Sequence, residues 1–503
     1  MNDKKEEEET AIRNEKEKDD NNYEKMDSPS EQPIIDDKTK MATTEKERRE
    51  QENNNNNKEK PQPQESTQKV SKLSSSRLRS ALGILGPGVI TGASDDDPSG
   101  IATYSQAGAQ FGFGLLWMVP FLYPLMTGVQ EMCARIGLVT GSGLAEALKK
   151  RYSNKIIIIY PIATLLLIAN TINIGADIGA MSASIRLIFP QLHFVPVSLA
   201  FVAFILLSQI LVPYDKYVKI LKYLTLSLFA YIATAIIVGG SLQQVLVSTI
   251  FPHIEFNSNF AMIFVAVIGT TISPYLLFWQ ASEEAEEDVA KKKIKEIGNG
   301  RPKISKKEVK VMRADVMLEM AFSVSIMYAI MVSTAGTLHS NGITDIATAD
   351  EAAKALEPVV KSFPNAGEIA KTIFALGIIG TGLLAIPVLA GSSGYALSDA
   401  FGWREGLSKK FGQAKQFYLI IAASTVIGLW INFTNIDPIK ALIYSAVING
   451  IVAVPMLFLI MRIANDEKIL GDMTNKRLSN VLGWIAFAVM SISVSILFIT
   501  WSN

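Results

Sequence analysis

The sequence contains few of the side chains that hold metals through sulfur or imidazole. Its single cysteine, Cys133, cannot form a disulfide within the chain or supply a cage of thiolates. The three histidines, His193, His253 and His339, all fall in loops between the apolar segments. A site built on imidazole within those segments is therefore not expected. A glycine-rich nucleotide loop and a catalytic constellation are also missing from the sequence, so we do not expect an enzyme or a bound cofactor.

An excess of charge of either sign is also missing, because the formal net charge is zero. We expect no nucleic-acid partner. Residues 1–75 are almost entirely polar and include the runs Glu6–Glu9 and Asn53–Asn57. Such a stretch cannot bury enough apolar surface to offset the entropy of ordering it, so we predict a disordered tail. It lacks the apolar core behind positive charges that marks a secretory signal.

Long apolar runs dominate the chain from Leu82 onward. Most are about 20 residues long, which is the length of a helix that crosses a bilayer. We therefore predict that residues 76–503 form an all-α polytopic domain embedded in the lipid bilayer, with about eleven transmembrane helices. The predicted spans are 82–110, 114–138, 156–188, 195–213, 218–241, 259–282, 314–338, 367–394, 416–434, 439–463 and 480–501.

Lysine and arginine alternate between rich and poor loops along these spans. They are frequent at 149–155, 216–222 and 291–301, whereas 189–195 and 242–258 contain none. Positively charged loops stay in the cytoplasm, so the N-terminus is predicted to be cytoplasmic and the C-terminus outside. We expect an integral protein of the plasma membrane, present as a monomer.

Two polar interruptions break otherwise apolar spans. The first is Ser94–Gly100, which contains Pro98, and the second is Gly269–Tyr275, which contains Pro274. Proline removes a backbone donor and breaks a helix. In lipid the freed backbone groups are tolerated only beside protein or a wet cavity. Spans one and six are therefore predicted to be broken helices that border a polar site.

The spacing of the two breaks divides the spans into two blocks of five, with one span left over. Repeat one is predicted at about 82–241, repeat two at about 259–463, and the extra helix at about 480–501. An odd number of helices in each block turns the second block upside down relative to the first. This predicts a 5+5 inverted repeat with its binding site where the broken helices meet.

Both breaks offer oxygen ligands. Asp95, Asp96 and Asp97 are consecutive carboxylates at the first break, and Thr270 and Ser273 supply hydroxyls at the second. Backbone carbonyls freed by the prolines add to them. Such oxygens suit hard cations, including Mg²⁺, Mn²⁺ and Ca²⁺. A cation site is predicted here, with Asp97 as a ligand and Asp95 and Asp96 along the ion path.

Each of these residues also has a structural interpretation. Asp97 or Ser99 could cap the helix that begins near Ile101. Ser273-Pro274 could be an ordinary proline kink in which the serine hydroxyl bonds back to its own chain.

Span three carries polar residues at helical spacing. Asn170, Asn173 and Asp177 are three and four residues apart, so they share one face of the helix. Polar side chains inside a membrane usually face a polar path, which places Asn173 and Asp177 among the ion-path candidates. A structural hydrogen bond between helices is the alternative.

The motifs around the first break resemble those of the NRAMP family of divalent-metal transporters. The matching segments are Gly86-Pro87-Gly88, Asp97–Gly100, Gln106–Gly112, Leu115–Trp117, Ala134–Gly141 and Leu144–Glu146. The resemblance runs through all the spans and implies the LeuT-like arrangement of broken helices 1 and 6 for which this family is known. It also implies that Asp97 is the metal-binding carboxylate, and that Ser94 and Thr270 offer backbone carbonyls.

The departures from the family pattern fall in the implied metal site. Gly100 takes the place of the family's asparagine, and Ser273-Pro274-Tyr275 takes the place of Met-Pro-His. Gln280 replaces a second histidine and Ala446 replaces a glutamine. Loss of the soft thioether and the imidazoles resembles the NRAMP-related magnesium transporters. We assign Gly100 and Ser273 to the metal site, and Tyr275 and Gln280 to the ion path.

These features together predict import of a hard divalent cation, Mg²⁺ or Mn²⁺, by alternating access, with weak or absent proton coupling. A proton-coupled Fe²⁺/Mn²⁺ importer is the alternative of the same class. A symporter of amino acids or other organic solutes with the same fold is the alternative of another class.

Overall fold

The computed structural model describes residues 96–151, 155–212, 224–238, 242–433 and 436–501. The predicted tail at 1–75, the first part of the first span, Ser94 and Asp95 lie outside these residues. Every regular element in the described ranges is a helix.

The longer helices follow the predicted spans closely. The α-helices are α1 (Pro98–Phe111), α2 (Met118–Thr140), α3 (Leu144–Arg151), α4 (Lys155–Ile188), α5 (Phe194–Leu211), α6 (Phe229–Val238), α7 (Leu242–Ile250), α8 (Ser258–Thr271), α9 (Pro274–Ala290), α10 (Lys306–Thr337), α11 (Ala349–Ala353), α12 (Glu357–Val360), α13 (Ala366–Phe401), α14 (Lys415–Leu429), α15 (Pro438–Ala464), α16 (Glu467–Leu470) and α17 (Arg477–Trp501). Short 3₁₀ turns lie at Gly112–Leu115, Leu224–Leu228, His339–Asn341, Lys354–Leu356, Trp430–Phe433 and Gly471–Met473.

Within the described ranges, eight helices are long and apolar enough to cross a membrane, and two bent pairs raise that number to as many as ten. In one bent pair, Pro98–Leu115 meets Met118–Thr140 at 115°, and these correspond to the end of span one and to span two. The segment 242–258, predicted as a loop, contains α7. This helix has nine residues, which is too short to cross a bilayer by itself.

Helix contacts follow the predicted two-block arrangement. The end of span one, α1, packs on span seven, α10, and the second half of span six, α9, packs on span two, α2. When each span is replaced by its counterpart in the other block, the pair of spans one and seven becomes the pair of spans six and two. Spans three and eight, α4 and α13, pack on each other, and each also contacts the span that follows it in the chain. These pairings are those expected of a 5+5 repeat.

Both predicted breaks coincide with helix starts at proline. Asp97 has φ −65° and ψ 170°, and α1 begins at Pro98. Ser273 has φ −75° and ψ 127°, and it separates α8 from α9, which begins at Pro274. The residue before a proline is pushed out of the helical region, so both helices begin where the sequence predicts.

Close contact between backbones holds the second break in place. A Cβ added to Gly269 on α8 would meet the backbone carbonyl of Ala446 and the backbone of Gly450, both on α15. Small residues allow helices to approach in this way. The end of α8 is therefore anchored against α15 directly before the chain breaks.

Candidate metal centre

The two breaks lie side by side in the interior. The Tyr275 side chain, two residues past Ser273, interacts with the Asp97 carboxylate. The hydroxyls of Tyr104 on α1 and Thr271 on α8 are 3.4 Å apart. The broken ends of spans one and six are thus joined by polar side chains, which is the juxtaposition predicted from their spacing.

Asp97 is 1% exposed and divides its contacts between its two carboxylate oxygens. Its Oδ1 accepts hydrogen bonds from the Ser99 hydroxyl at 2.6 Å and the Gly100 backbone N–H at 2.8 Å. This oxygen caps α1, as the structural interpretation predicts. Its Oδ2 accepts a hydrogen bond from Asn173 Nδ2 on α4, at 2.8 Å. The Asp97 carboxylate therefore caps α1 through one oxygen and accepts a hydrogen bond from α4 through the other.

Asn173 connects three helices at this point. Its Nδ2 donates to Asp97, and its Oδ1 accepts a hydrogen bond from the Ser445 hydroxyl on α15 at 2.6 Å. Ser445 was not identified from the sequence as a site residue. The signal that could have found it is its spacing of four residues from Asn449, another polar residue inside an apolar span, because this spacing places both on one helix face.

The other polar residues of α4 differ in their surroundings. Asn170 Nδ2 donates to the Leu389 carbonyl and to the hydroxyls of Ser392 and Ser393 on α13. It therefore makes the structural bond between helices. Asp177 is fully buried, and neither of its carboxylate oxygens has a hydrogen-bond partner among the described residues. It lies close enough to Asp97 for the two charges to repel each other.

The hydroxyls of the second break bond back to their own helix. Ser273 Oγ donates to the carbonyls of Thr270 and Gly269, and Thr270 Oγ1 donates to the Val267 carbonyl at 3.0 Å. Pro274 has no N–H to offer the Thr270 carbonyl, so the Ser273 hydroxyl takes over that role. This is the geometry of the kink interpretation. Each hydroxyl oxygen still has lone pairs with which to accept a hydrogen bond or a cation.

Three further candidates have separate contacts. Asp96 is buried and accepts a hydrogen bond from the Ser323 hydroxyl on α10 at 3.3 Å. Gly100 contributes only its backbone N–H, to Asp97. Gln280 accepts a hydrogen bond from Gln130 Nε2 on α2 at 3.1 Å. It is seven residues beyond Ser273, about 10 Å along the helix. The structure thus brings Asp97, Asn173 and Tyr275 together. Ser273 lies two residues before Tyr275 and bonds to its own helix, and Gln280 lies farther along α9.

The side chains grouped around Asp97 offer oxygen atoms to a ligand. In the part of the chain that the structure describes, no three carboxylate, imidazole or thiolate groups converge on one point. The groups available at this centre are therefore one carboxylate together with hydroxyl, amide and carbonyl oxygens. Such a set can hold a hard cation that keeps part of its hydration shell.

Known proteins are similar to this chain over most of its length. Residues 88–500 match the family model described as natural resistance-associated macrophage protein-like, or Nramp. The divalent metal cation transporter MntH of Klebsiella pneumoniae strain 342 is 25% identical over 427 residues, covering 84% of this chain and 96% of the relative. MntH of Klebsiella pneumoniae subsp. pneumoniae is 26% identical over the same length.

Solved structures share the arrangement of helices. The manganese transporter of Eremococcus coleocola, crystallised with an aromatic bis-isothiourea compound, aligns with a TM-score of 0.61 and 17% identity. The alignment covers 86% of this chain and 88% of that one. MhsT, crystallised with L-phenylalanine, aligns with a TM-score of 0.53 and 13% identity over 83% of this chain and 98% of that chain. At these identities the likeness concerns the fold alone.

Proposed function

The chain belongs to the Nramp family, and from that premise we propose that it carries a hard divalent cation, Mg²⁺ or Mn²⁺, across a membrane by alternating access. The observation that carries this proposal is the position of the Asp97 carboxylate. It lies at the first break and contacts Asn173 and Tyr275, the latter just past the second break. A carboxylate in a membrane interior is costly unless it is paired, hydrated or bound to a metal. The names of the Klebsiella relatives support a divalent metal as cargo.

The choice between hard and soft cations is supported by the second break. Ser273 offers a hydroxyl and Tyr275 a phenol at positions where thioether and imidazole ligands are expected from the family resemblance. Soft ligands select transition metals, whereas oxygen ligands suit Mg²⁺, which keeps several of its waters. We therefore favour Mg²⁺ over Fe²⁺ as cargo and retain Mn²⁺, which accepts oxygen ligands.

Coupling to protons is proposed to be weak or absent. The three histidines lie outside the transmembrane helices or at their ends, so no imidazole is available beside Asp97 to carry a proton. Asp177 is the titratable group that would serve the proton-coupled alternative. For the organic-solute alternative, the shared fold with MhsT is the supporting observation. The oxygen groups around Asp97 favour a cation instead.

The orientation and location proposed for the protein follow from charge and hydropathy. We place it in the plasma membrane as a monomer, with the N-terminus in the cytoplasm and the C-terminus outside. The lysines and arginines of loops 291–301 and 403–410 then lie on the cytoplasmic side.

Uptake into proteoliposomes tests the proposal. Purified protein is reconstituted, and uptake of Mg²⁺, Mn²⁺, Fe²⁺ and Ca²⁺ is measured with and without a pH gradient. We expect saturable uptake of Mg²⁺ and Mn²⁺. Asp97→Asn should abolish it, because asparagine can still accept the capping bonds of Ser99 and Gly100 but cannot supply the negative charge. Asp472→Asn, which changes an exposed carboxylate, serves as the control. Transport by Asp97→Asn at the wild-type rate would overturn the proposal.

A further inference from the structure

The end of α13 carries a pair of buried carboxyl groups that the proposed transport site does not use. Asp399 lies near the end of α13, and Glu405 follows four residues after the helix ends. Gly402 adopts a left-handed conformation with φ 74°, and the Trp403 N–H donates to the Ser398 carbonyl at 2.8 Å. This turn reverses the chain and brings Glu405 back to Asp399.

The two carboxyl groups are hydrogen-bonded to each other. Asp399 is 5% exposed and Glu405 is 6% exposed. Asp399 also accepts a hydrogen bond from the Glu146 backbone N–H in the first turn of α3. The pair thus joins the end of α13, the loop after it and the start of α3. Two carboxyl groups so close together cannot both stay ionised without a positive charge between them.

Each member of the pair keeps an oxygen that has no hydrogen-bond partner in the described structure. These are Asp399 Oδ2 and Glu405 Oε2. A third buried oxygen, Ser282 Oγ on α9, also has no partner. A Cβ added to Gly143 would meet both Asp399 Oδ2 and Ser282 Oγ, so the missing side chain leaves these oxygens around one small space. Buried oxygens without partners are costly, and a bound cation would satisfy them.

Asp399 and Glu405 line a cavity of about 290 Å³. Its lysines are held by other carboxylates. Lys149 Nζ lies 3.3 Å from Glu146 and also donates to the Asp399 backbone carbonyl at 3.1 Å, so its charge lies near Asp399. Lys409 Nζ lies 3.5 Å from Glu296. Among the described ion pairs, neither lysine is paired with Asp399 or Glu405. The remaining cation of the lining, Arg404, is exposed. No lysine or arginine of the lining thus forms an ion pair with either carboxyl group among the described residues, which leaves their unpartnered oxygens open to a ligand from the cavity.

We propose that Asp399 and Glu405 form a second binding site for a hard divalent cation, distinct from the Asp97 centre. The ligands are Asp399 Oδ2 and Glu405 Oε2, with Ser282 Oγ beside them. Carboxylate and hydroxyl oxygens are the ligands that Mg²⁺ and Mn²⁺ prefer, and water from the cavity completes the coordination. Binding of the cation releases to solvent the one proton that the two carboxyl groups share. An ion bound there joins α13, the loop after it and α9.

Binding of Mn²⁺ to the full-length protein tests this site, with electron paramagnetic resonance as the readout. The measurement uses the Asp97→Asn variant, so that the Asp97 centre does not contribute. We expect this variant to bind one Mn²⁺ saturably. Adding Glu405→Gln should weaken that binding by about tenfold or more, because a ligand is lost. Glutamine can still donate the hydrogen bond to Asp399, so the fold of the turn is kept.

Two further variants complete the test. Glu296→Gln, in the same cavity but ion-paired with Lys409, should leave binding unchanged. Gly143→Ala, which places a methyl group beside Asp399 Oδ2 and Ser282 Oγ, should weaken binding without a change of charge. The site is refuted when Asp97→Asn binds no Mn²⁺ saturably, or when Glu405→Gln and Gly143→Ala both bind it as tightly as their parent. Either result would show that the carboxyl pair holds these segments together through its hydrogen bonds and does not bind a cation. Transport is measured separately, so failure of the cargo proposal does not affect this result.

Discussion

Asn173 connects Asp97 at the first break to Ser445 on α15. The Asn173 amide donates to Asp97 Oδ2 through its nitrogen and accepts from Ser445 through its oxygen. A cation bound to Asp97 Oδ2 would repel that nitrogen. Rotation of the amide by a half turn would present the oxygen to the ion and the nitrogen to the Ser445 hydroxyl. The Asn173 side chain can therefore donate to Asp97 when no cation is bound and offer its oxygen to the cation when one is bound.

Replacing Asn173 by leucine tests this role, since the two side chains are close in size. Asn173→Leu should raise the KM for Mg²⁺ or Mn²⁺ uptake by about tenfold, because an oxygen ligand or its water is lost. Thermal unfolding should change little relative to this effect. Thr171→Val, which removes a hydroxyl bonded only to the Leu167 carbonyl of its own helix, is the control. An unchanged KM in Asn173→Leu would show that the amide is purely structural.

Ser273 is the residue that bears most directly on selectivity. Ser273→Met would introduce a polarisable thioether at the second break, two residues before Tyr275, which interacts with Asp97. Soft ligands favour transition metals over Mg²⁺. We expect the ratio of Mn²⁺ or Cd²⁺ uptake to Mg²⁺ uptake to rise by about tenfold. Ser495→Met on α17, at an exposed position, controls for the added methionine. A selectivity profile that stays constant would contradict the argument from ligand softness.

At the scale of the helices, the breaks depend on packing as well as on proline. Gly269 lies one turn before the second break, and its backbone touches that of α15. Gly269→Ala would push α8 away from α15, and overpacking of this kind costs about 1–3 kcal/mol. We expect a lower unfolding temperature and slower transport. Gly412→Ala, which meets no atom within 4 Å, should change neither. Wild-type stability in Gly269→Ala would mean that α8 is free to shift.

The sequence predicts the helices and breaks well because their causes are local. Pro98 and Pro274 act on the residue directly before them, and the length of each apolar run is set by the bilayer. The partners of the polar residues are not predictable in this way. Ser445 meets Asn173 across 272 positions of the sequence, and only the packing of α4 on α15 brings them together. The hydrogen bond from the Glu146 backbone N–H to Asp399 likewise depends on the approach of α3 to the end of α13.

At the scale of the whole molecule, the repeat is visible in helix contacts although the two blocks share no evident sequence identity. The spacing of the breaks predicts this repeat. The contact of α1 with α10 has its counterpart in the contact of α9 with α2, which agrees with that prediction. Helix packing constrains size and shape at each contact more than residue identity. The two blocks can therefore diverge in sequence while they keep equivalent contacts. Asp97 has no acidic counterpart at Ser273, so the charge of the site comes from one block.

That asymmetry of charge bears on the driving force for transport. A divalent cation moving through a membrane potential of about 100 mV gains about 4.6 kcal/mol, which corresponds to an accumulation of roughly 10³-fold at equilibrium. With no imidazole beside Asp97, we expect the potential alone to drive uptake. In proteoliposomes, an inside-negative potassium diffusion potential should accelerate Mg²⁺ and Mn²⁺ uptake, whereas a pH gradient should not. A pH dye in the lumen should report no acidification during Mn²⁺ entry. Lumenal acidification in a fixed ratio to Mn²⁺ would favour the proton-coupled alternative, and Asp177→Asn should then abolish the acidification.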